Sequence, residues 1–98
     1  MIPGLTSKLS ETRISSATTI VAASDLVIIT DPAIPIVNII PNYAGFSGLV
    51  FFVGTSAANG VQFNVGGNIA KAALTVQFQL LTMVYSKSTG LWYPGPIS

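Results

Sequence analysis

The sequence predicts an all-β protein, a small antiparallel β-sandwich or barrel-like module preceded by an extended N-terminal arm. Three observations carry this. Short segments alternate apolar with polar residues, as where Val61, Phe63 and Val65 flank Gln62 and Asn64. Clusters of Gly, Pro, Asn, Asp and Ser separate these segments at short intervals. Only Ile69 to Leu74 has helix propensity, and at about six residues it leaves room for one helical turn at most. A chain of 98 residues makes one domain. We assign residues 1–11 to the arm and 12–98 to the β domain.

In the arm, Pro3, Gly4 and a Ser/Thr-rich background surround the isolated hydrophobes Ile2, Leu5 and Leu9. Ordering eleven residues costs on the order of 10 to 20 kcal/mol, which three aliphatics do not offset. The arm therefore needs a surface to lie on, its own oligomer or a partner; the alternative is a first strand added to the domain's own sheet. From Arg13 onward, Ile14 to Val21 and Leu26 to Thr30 read as two antiparallel strands about a turn at Ala23-Ser24-Asp25. Asp31-Pro32 and Pro35 stop the chain, and Pro41-Asn42 closes a short strand at Ile36 to Ile40. Gly45 and Gly48 bracket a bend before Leu49 to Val53, which is apolar on both faces. Such a strand lies between two sheets or at a subunit seam.

Gly54 to Gly60 reads as a turn, Val61 to Val65 as a half-buried strand and Gly66-Gly67-Asn68 as another turn. Leu74 to Pro94 closes the domain as a hairpin. Val76, Phe78 and Leu80 set one apolar phase and Leu81, Met83 and Tyr85 the other, so a bulge or tight bend is expected between Leu80 and Leu81. SKSTG supplies the hairpin turn, with Gly90 suited to positive φ, and Leu91-Trp92-Tyr93 returns as a short strand ended by Pro94. The expected total is seven or eight strands. Leu49, Phe51, Val53, Phe63, Phe78 and Trp92 are the expected core or subunit-contact residues.

Half of the residues are hydrophobic and 7% are charged, against about 25% in an ordinary domain. Seven charges over a folded surface of roughly 5,300 Å² is about one per 760 Å². That scarcity argues for association. The net charge of +1 is scattered and forms no basic patch, so nucleic acid is not an expected partner. No apolar run approaches the 18 or so residues of a helical span and the N-terminus lacks the apolar core of a secretion signal, so no membrane partner is expected. Without cysteine there are no disulfides, and oligomerisation is the remaining usual reinforcement of so small a core.

The chain has no histidine and no cysteine. That removes Ser-His and Cys-His pairs, the common zinc sites and imidazole catalysis, and neither a cofactor nor a metal is expected. Asp25 and Asp31 flank one strand at roughly 20 Å, too far apart for the 5 to 10 Å of a glycosidase pair, so they read as turn formers and a carboxylate enzyme ranks far behind. Gly66-Gly67-Asn68 lacks the spacing of a phosphate loop. Trp92 with Tyr93, Tyr85 and Tyr43 suggests a platform for the apolar face of a sugar; the better reading is that Trp92 plugs the core and stacks on Tyr85, because Asp, Asn and Arg donors are not near it in sequence.

Taken together, TRISSATTIVAASDLVIIT, GLVFFV, VGGNI and the closing LTMVYSKSTGLWYPG resemble the small trimeric β modules of tailed-bacteriophage virions, found in head decoration (cement) proteins and in head or tail fibres. The resemblance spans Arg13 to Gly95 and implies a homotrimeric, non-enzymatic structural protein. A stand-alone module resembles a decoration protein most. It implies a place on the outer capsid surface of the virion, with the major capsid protein as partner and Ile2, Pro3, Leu5, Lys8, Leu9 and Arg13 as capsid contacts. The other member of the resemblance is a fibre module that recognises host surface glycan, for which Tyr43 and Tyr93 are the candidate contacts.

Overall fold

The computed structural model describes residues 10–31, 34–55 and 59–97, which form nine strands and no helix. One five-stranded sheet contains, side by side, β1 (Glu11–Ser15), β3 (Leu26–Asp31), β5 (Gly48–Gly54), β8 (Leu80–Ser86) and β9 (Leu91–Ile97). Two two-stranded sheets pair β2 (Thr19–Val21) with β4 (Asn38–Ile40) and β6 (Asn59–Phe63) with β7 (Ala73–Val76). The protein is thus all-β, as its alternation predicts.

The expected antiparallel start is corrected. β1 runs parallel to β3, β3 parallel to β5, and β2 parallel to β4. Ile14 to Val21 is two strands, broken at Ser16. There the Ser16 N–H and hydroxyl both donate to the Asp31 carbonyl, at 2.9 and 2.8 Å, and Ile34 N–H donates to the same hydroxyl at 3.0 Å. Parallel neighbours need a crossover connection. Here β2 and β4 supply it, so the first half of the chain winds twice between the large sheet and a second layer. Glu11, assigned to the arm by composition, is the first residue of β1.

The core lies on one face of the large sheet. The register aligns Val27, Phe52 and Leu81 across three strands, and these pack with Ile29, Met83 and Trp92 against Ile20, Ile39, Val61, Phe63 and Ile69. Full burial of each such side chain contributes about 1.5 to 3 kcal/mol. Where β5 passes β6, Gly54 and Gly60 touch: a Cβ on Gly54 would lie 2.8 Å from the Gly60 carbonyl carbon.

The closing hairpin forms between β8 and β9, with Gly90 at φ 70°, but its expected bounds are corrected: Leu74 to Val76 belongs to β7, which pairs with β6, and the return strand runs through Pro94 to Ile97. The phase break comes earlier than its expected place. Gln77 and Phe78 form a turn in which Phe78 takes φ 65°, its N–H donates to the Gly54 carbonyl at 2.8 Å, and the Gln79 side chain accepts Val76 N–H at 2.9 Å. Phe78 is consequently 69% exposed. Ile69 to Leu74, with room for one helical turn at most, forms none, because Ile69 bridges to Trp92 and Ala73 opens β7. A six-residue helix cannot compete with strand pairing to two neighbours.

Candidate interaction surface

The second face of the large sheet is apolar and is not used by the core. In β5 the alternation of GLVFFV sends Val50 and Phe52 into the core and turns Leu49, Phe51 and Val53 to the opposite side. Pairing extends this into rows: Arg13, Ile28, Val53 and Leu80 in one, Leu26, Phe51 and Thr82 in the next, Leu49, Val84 and Tyr93 in a third. Ile28 is buried between its register neighbours, whereas Leu49 is 52% exposed, and Leu80, Val84 and Tyr93 are also exposed. The sheets of β2–β4 and β6–β7 both pack on the core side. Among the described residues no element lies over this apolar face, about 19 Å across five strands at their usual spacing, which is the kind of patch that marks an interaction site.

The structure distributes the expected contact residues over three environments. Phe63 and Trp92 are wholly buried in the subunit's own core, Leu49, Phe51 and Val53 belong to the opposite face, and Phe78 stands on the exposed turn before β8. Ile2, Pro3, Leu5, Lys8 and Leu9 lie outside the described residues. Arg13 is exposed on β1, beside Glu11 at 3.9 Å.

Trp92 joins all the layers. Its ring lies 4.9 Å from Tyr85 and 6.3 Å from both Phe46 and Phe52, and its Nε1–H donates to the Ile39 carbonyl at 2.9 Å. Asn68 completes the joint: its Nδ2 donates to the same carbonyl at 2.7 Å and its Oδ1 accepts Ile39 N–H at 2.8 Å. Sequence reading treats Asn68 as a turn residue only. Its role as a clamp has no local signal, since Ile39 is 29 positions away.

Tyr43 and Tyr93 are not brought together. Tyr43 meets Phe46 edge-on, and Phe46 stacks toward Tyr85 and Trp92 on the core side. Tyr93, adjacent to Trp92 in β9, faces the other way, where its hydroxyl donates to Thr89 Oγ1 at 2.9 Å. Tyr43 and Tyr85 instead line a groove of about 600 Å³ with Ile40, Pro41, Ala44, Gly45 and Lys87.

Asp25 and Asp31 sit at the two ends of β3. Asp25 Oδ2 accepts Ser10 N–H and Ser10 Oγ–H at 3.2 and 3.1 Å, fastening the entry to β1. Among the described residues no group of three or more His, Cys, Asp or Glu could hold a metal ion, and no helix is long and apolar enough to cross a membrane. No known protein family, curated protein or solved structure matches the chain.

Proposed function

We propose that this protein is a non-enzymatic structural module that assembles as a homotrimer through the apolar face of its large sheet and decorates a bacteriophage head. The observation that carries the assembly is the row of Leu49, Phe51 and Val53 on the central strand of a face that no described element covers. The sparse charge supports it, since only 7% of the residues keep a lone subunit wet. The decoration role rests on the resemblance to phage head modules. The N-terminal segment enters β1 at Ser10, beside exposed Arg13, so Ile2, Pro3, Leu5, Lys8, Leu9 and Arg13 form one stretch for contact with the major capsid protein.

Phe51→Lys tests the assembly. Phe51 is half-buried in the single subunit, so a lysine there reaches water with its ammonium group and the fold survives. In the trimer the same charge loses its water without a partner, a cost of several kcal/mol. Light scattering at micromolar concentration is expected to give three times the 10.2 kDa chain mass for the parent and one chain mass for the variant, with little change in melting temperature. A parent protein that stays at one chain mass overturns the reading.

Truncation tests the decoration. Removing residues 1–9 keeps Ser10 and its bonds to Asp25, so fold and trimer are expected to persist while co-sedimentation with phage heads lacking this protein is lost. A truncated protein that still coats the heads removes the arm from the mechanism, and one that fails to fold places the segment in the core.

A further inference from the structure

The large sheet has two edges, and among the described residues only one of them is closed. On β9 the Trp92 N–H donates to the Asn68 carbonyl and the Trp92 carbonyl accepts Ala70 N–H, both at 2.8 Å, so its backbone groups point away from β8 and are already paired. Two residues on, Pro94 points the same way by alternation and has no N–H to offer. Proline at an edge position is a common defence against unwanted strand pairing.

β1 is built differently. The Ser10 carbonyl accepts Leu26 N–H at 3.0 Å and Ser16 N–H donates to the Asp31 carbonyl at 2.9 Å, so the even-numbered residues turn their backbone groups toward β3. Glu11, Arg13 and Ser15 therefore turn theirs outward. All three are exposed, none is proline, and among the described residues no strand lies beyond β1. The side chains of Glu11 and Arg13 stand on the same face of the sheet, opposite to Ile14, which packs against the core.

We propose that this edge is self-complementary: β1 of a second copy pairs with it antiparallel, across a twofold axis through Thr12. Charge selects that register. Centred on Thr12, Arg13 stands opposite the second copy's Glu11 and Glu11 opposite the second copy's Arg13, each an opposite-charge pair directly across the strands. Centred on Arg13, two guanidinium groups would oppose each other; centred on Glu11, two carboxylates would. The outward N–H and C=O groups of Glu11 and Arg13 then exchange hydrogen bonds with their counterparts, and two five-stranded sheets become one of ten strands. The hydrogen bonds of this contact run along the sheet edge, while the Glu11 and Arg13 side chains stand at the margin of the apolar face. Phe51→Lys leaves both unchanged, so the edge is tested apart from the proposed trimer, whose copies it joins to those of a neighbouring assembly.

The full-length chain and four variants test it by sedimentation velocity between about 10 µM and 1 mM, the range in which a contact of this size is measurable. Arg13→Pro removes an outward N–H without touching the ladder to β3. Arg13→Glu and Glu11→Arg each set like charges across the axis, and the double variant restores opposite ones. Each of the three single changes is expected to weaken the twofold association at least about tenfold, while the charge-swapped double variant returns to the parent value. Fluorescence of buried Trp92 reports that each variant is folded.

Equal association in all five proteins overturns the proposal, as does a parent with no twofold association at 1 mM. Loss in Arg13→Pro with no effect of either charge reversal also overturns it, because the edge then takes a strand other than its own copy. If Phe51→Lys alone dissolves every assembly, the face reading survives and the edge proposal does not.

Discussion

Replacing Trp92 with alanine is expected to lower stability by about 4 to 5 kcal/mol, the upper part of the range for buried aromatic truncations. The side chain is completely buried, touches aromatic rings from both the large sheet and the Phe46 loop, and is held at Nε1 by the Ile39 carbonyl. Its removal leaves a void between the large sheet and the second layer, and the surrounding strands cannot collapse into it without parting from one another. A domain of this length has about 5 to 15 kcal/mol in total, so the variant is expected to be marginal at room temperature. Trp92→Phe separates packing from hydrogen bonding. Most of the ring volume remains and the Ile39 carbonyl keeps its bond from Asn68, so the loss should be only about 1 to 2 kcal/mol. Urea denaturation measures both. A midpoint for Trp92→Ala close to that of the parent means that Trp92 is not the joint between the layers.

Gly60→Ala is expected to cost about 3 kcal/mol or more, at or beyond the top of the usual overpacking range. A Cβ there would collide with Thr75 Oγ1 and the Val76 carbonyl oxygen and would lie 2.8 Å from the Val76 carbonyl carbon. Neither neighbour can retreat. Thr75 is buried and its hydroxyl accepts Val61 N–H at 2.8 Å, while the Val76 carbonyl is backbone that accepts Gln79 N–H at 3.1 Å. Behind Gly60 lies Gly54 of the central strand, so the methyl group pushes β6 away from β7 or from β5. Gly90→Ala is the control. It has open space around its Cβ direction and only its φ of 70° to penalise a side chain, a cost of about 1 to 2 kcal/mol. Equal thermal shifts for the two variants would show that close approach at Gly60 is not what excludes a side chain there.

Several elements were legible from residue order. Leu26 to Thr30 and Leu49 to Val53 are strands, the strand expected at Val61 to Val65 is present but runs from Asn59 to Phe63, and SKSTG is a hairpin turn with Gly90 in the left-handed region. Trp92 packs on Tyr85, its ring tilted by 45° and not stacked, because the two are register partners across that turn. Each of these depends on neighbours within a few positions, or on a turn that brings two adjacent segments together. The surface was half legible. Two-sided apolarity at Leu49 to Val53 announces a strand whose second face wants cover, but not that its companions would be Ile28, Leu80 and Val84. Phe78 was misplaced for a local reason: its apolar character continued an alternation that the backbone abandons at φ 65°.

What the sequence determined by itself is that this chain is a set of short strands with a thin core, little charge and no imidazole or thiol chemistry, because alternation, turn residues and composition are properties of short stretches. The tertiary structure alone decided which strands are neighbours: the parallel crossing of β1, β3 and β5 through a second layer, the Asn68 clamp on Ile39, the opposite facing of Tyr43 and Tyr93, and the edge of the large sheet left without proline at β1. A strand has the same local pattern whichever partner it takes. The choice is made by side chains tens of residues apart filling one core, and that packing is written in no single stretch of the chain.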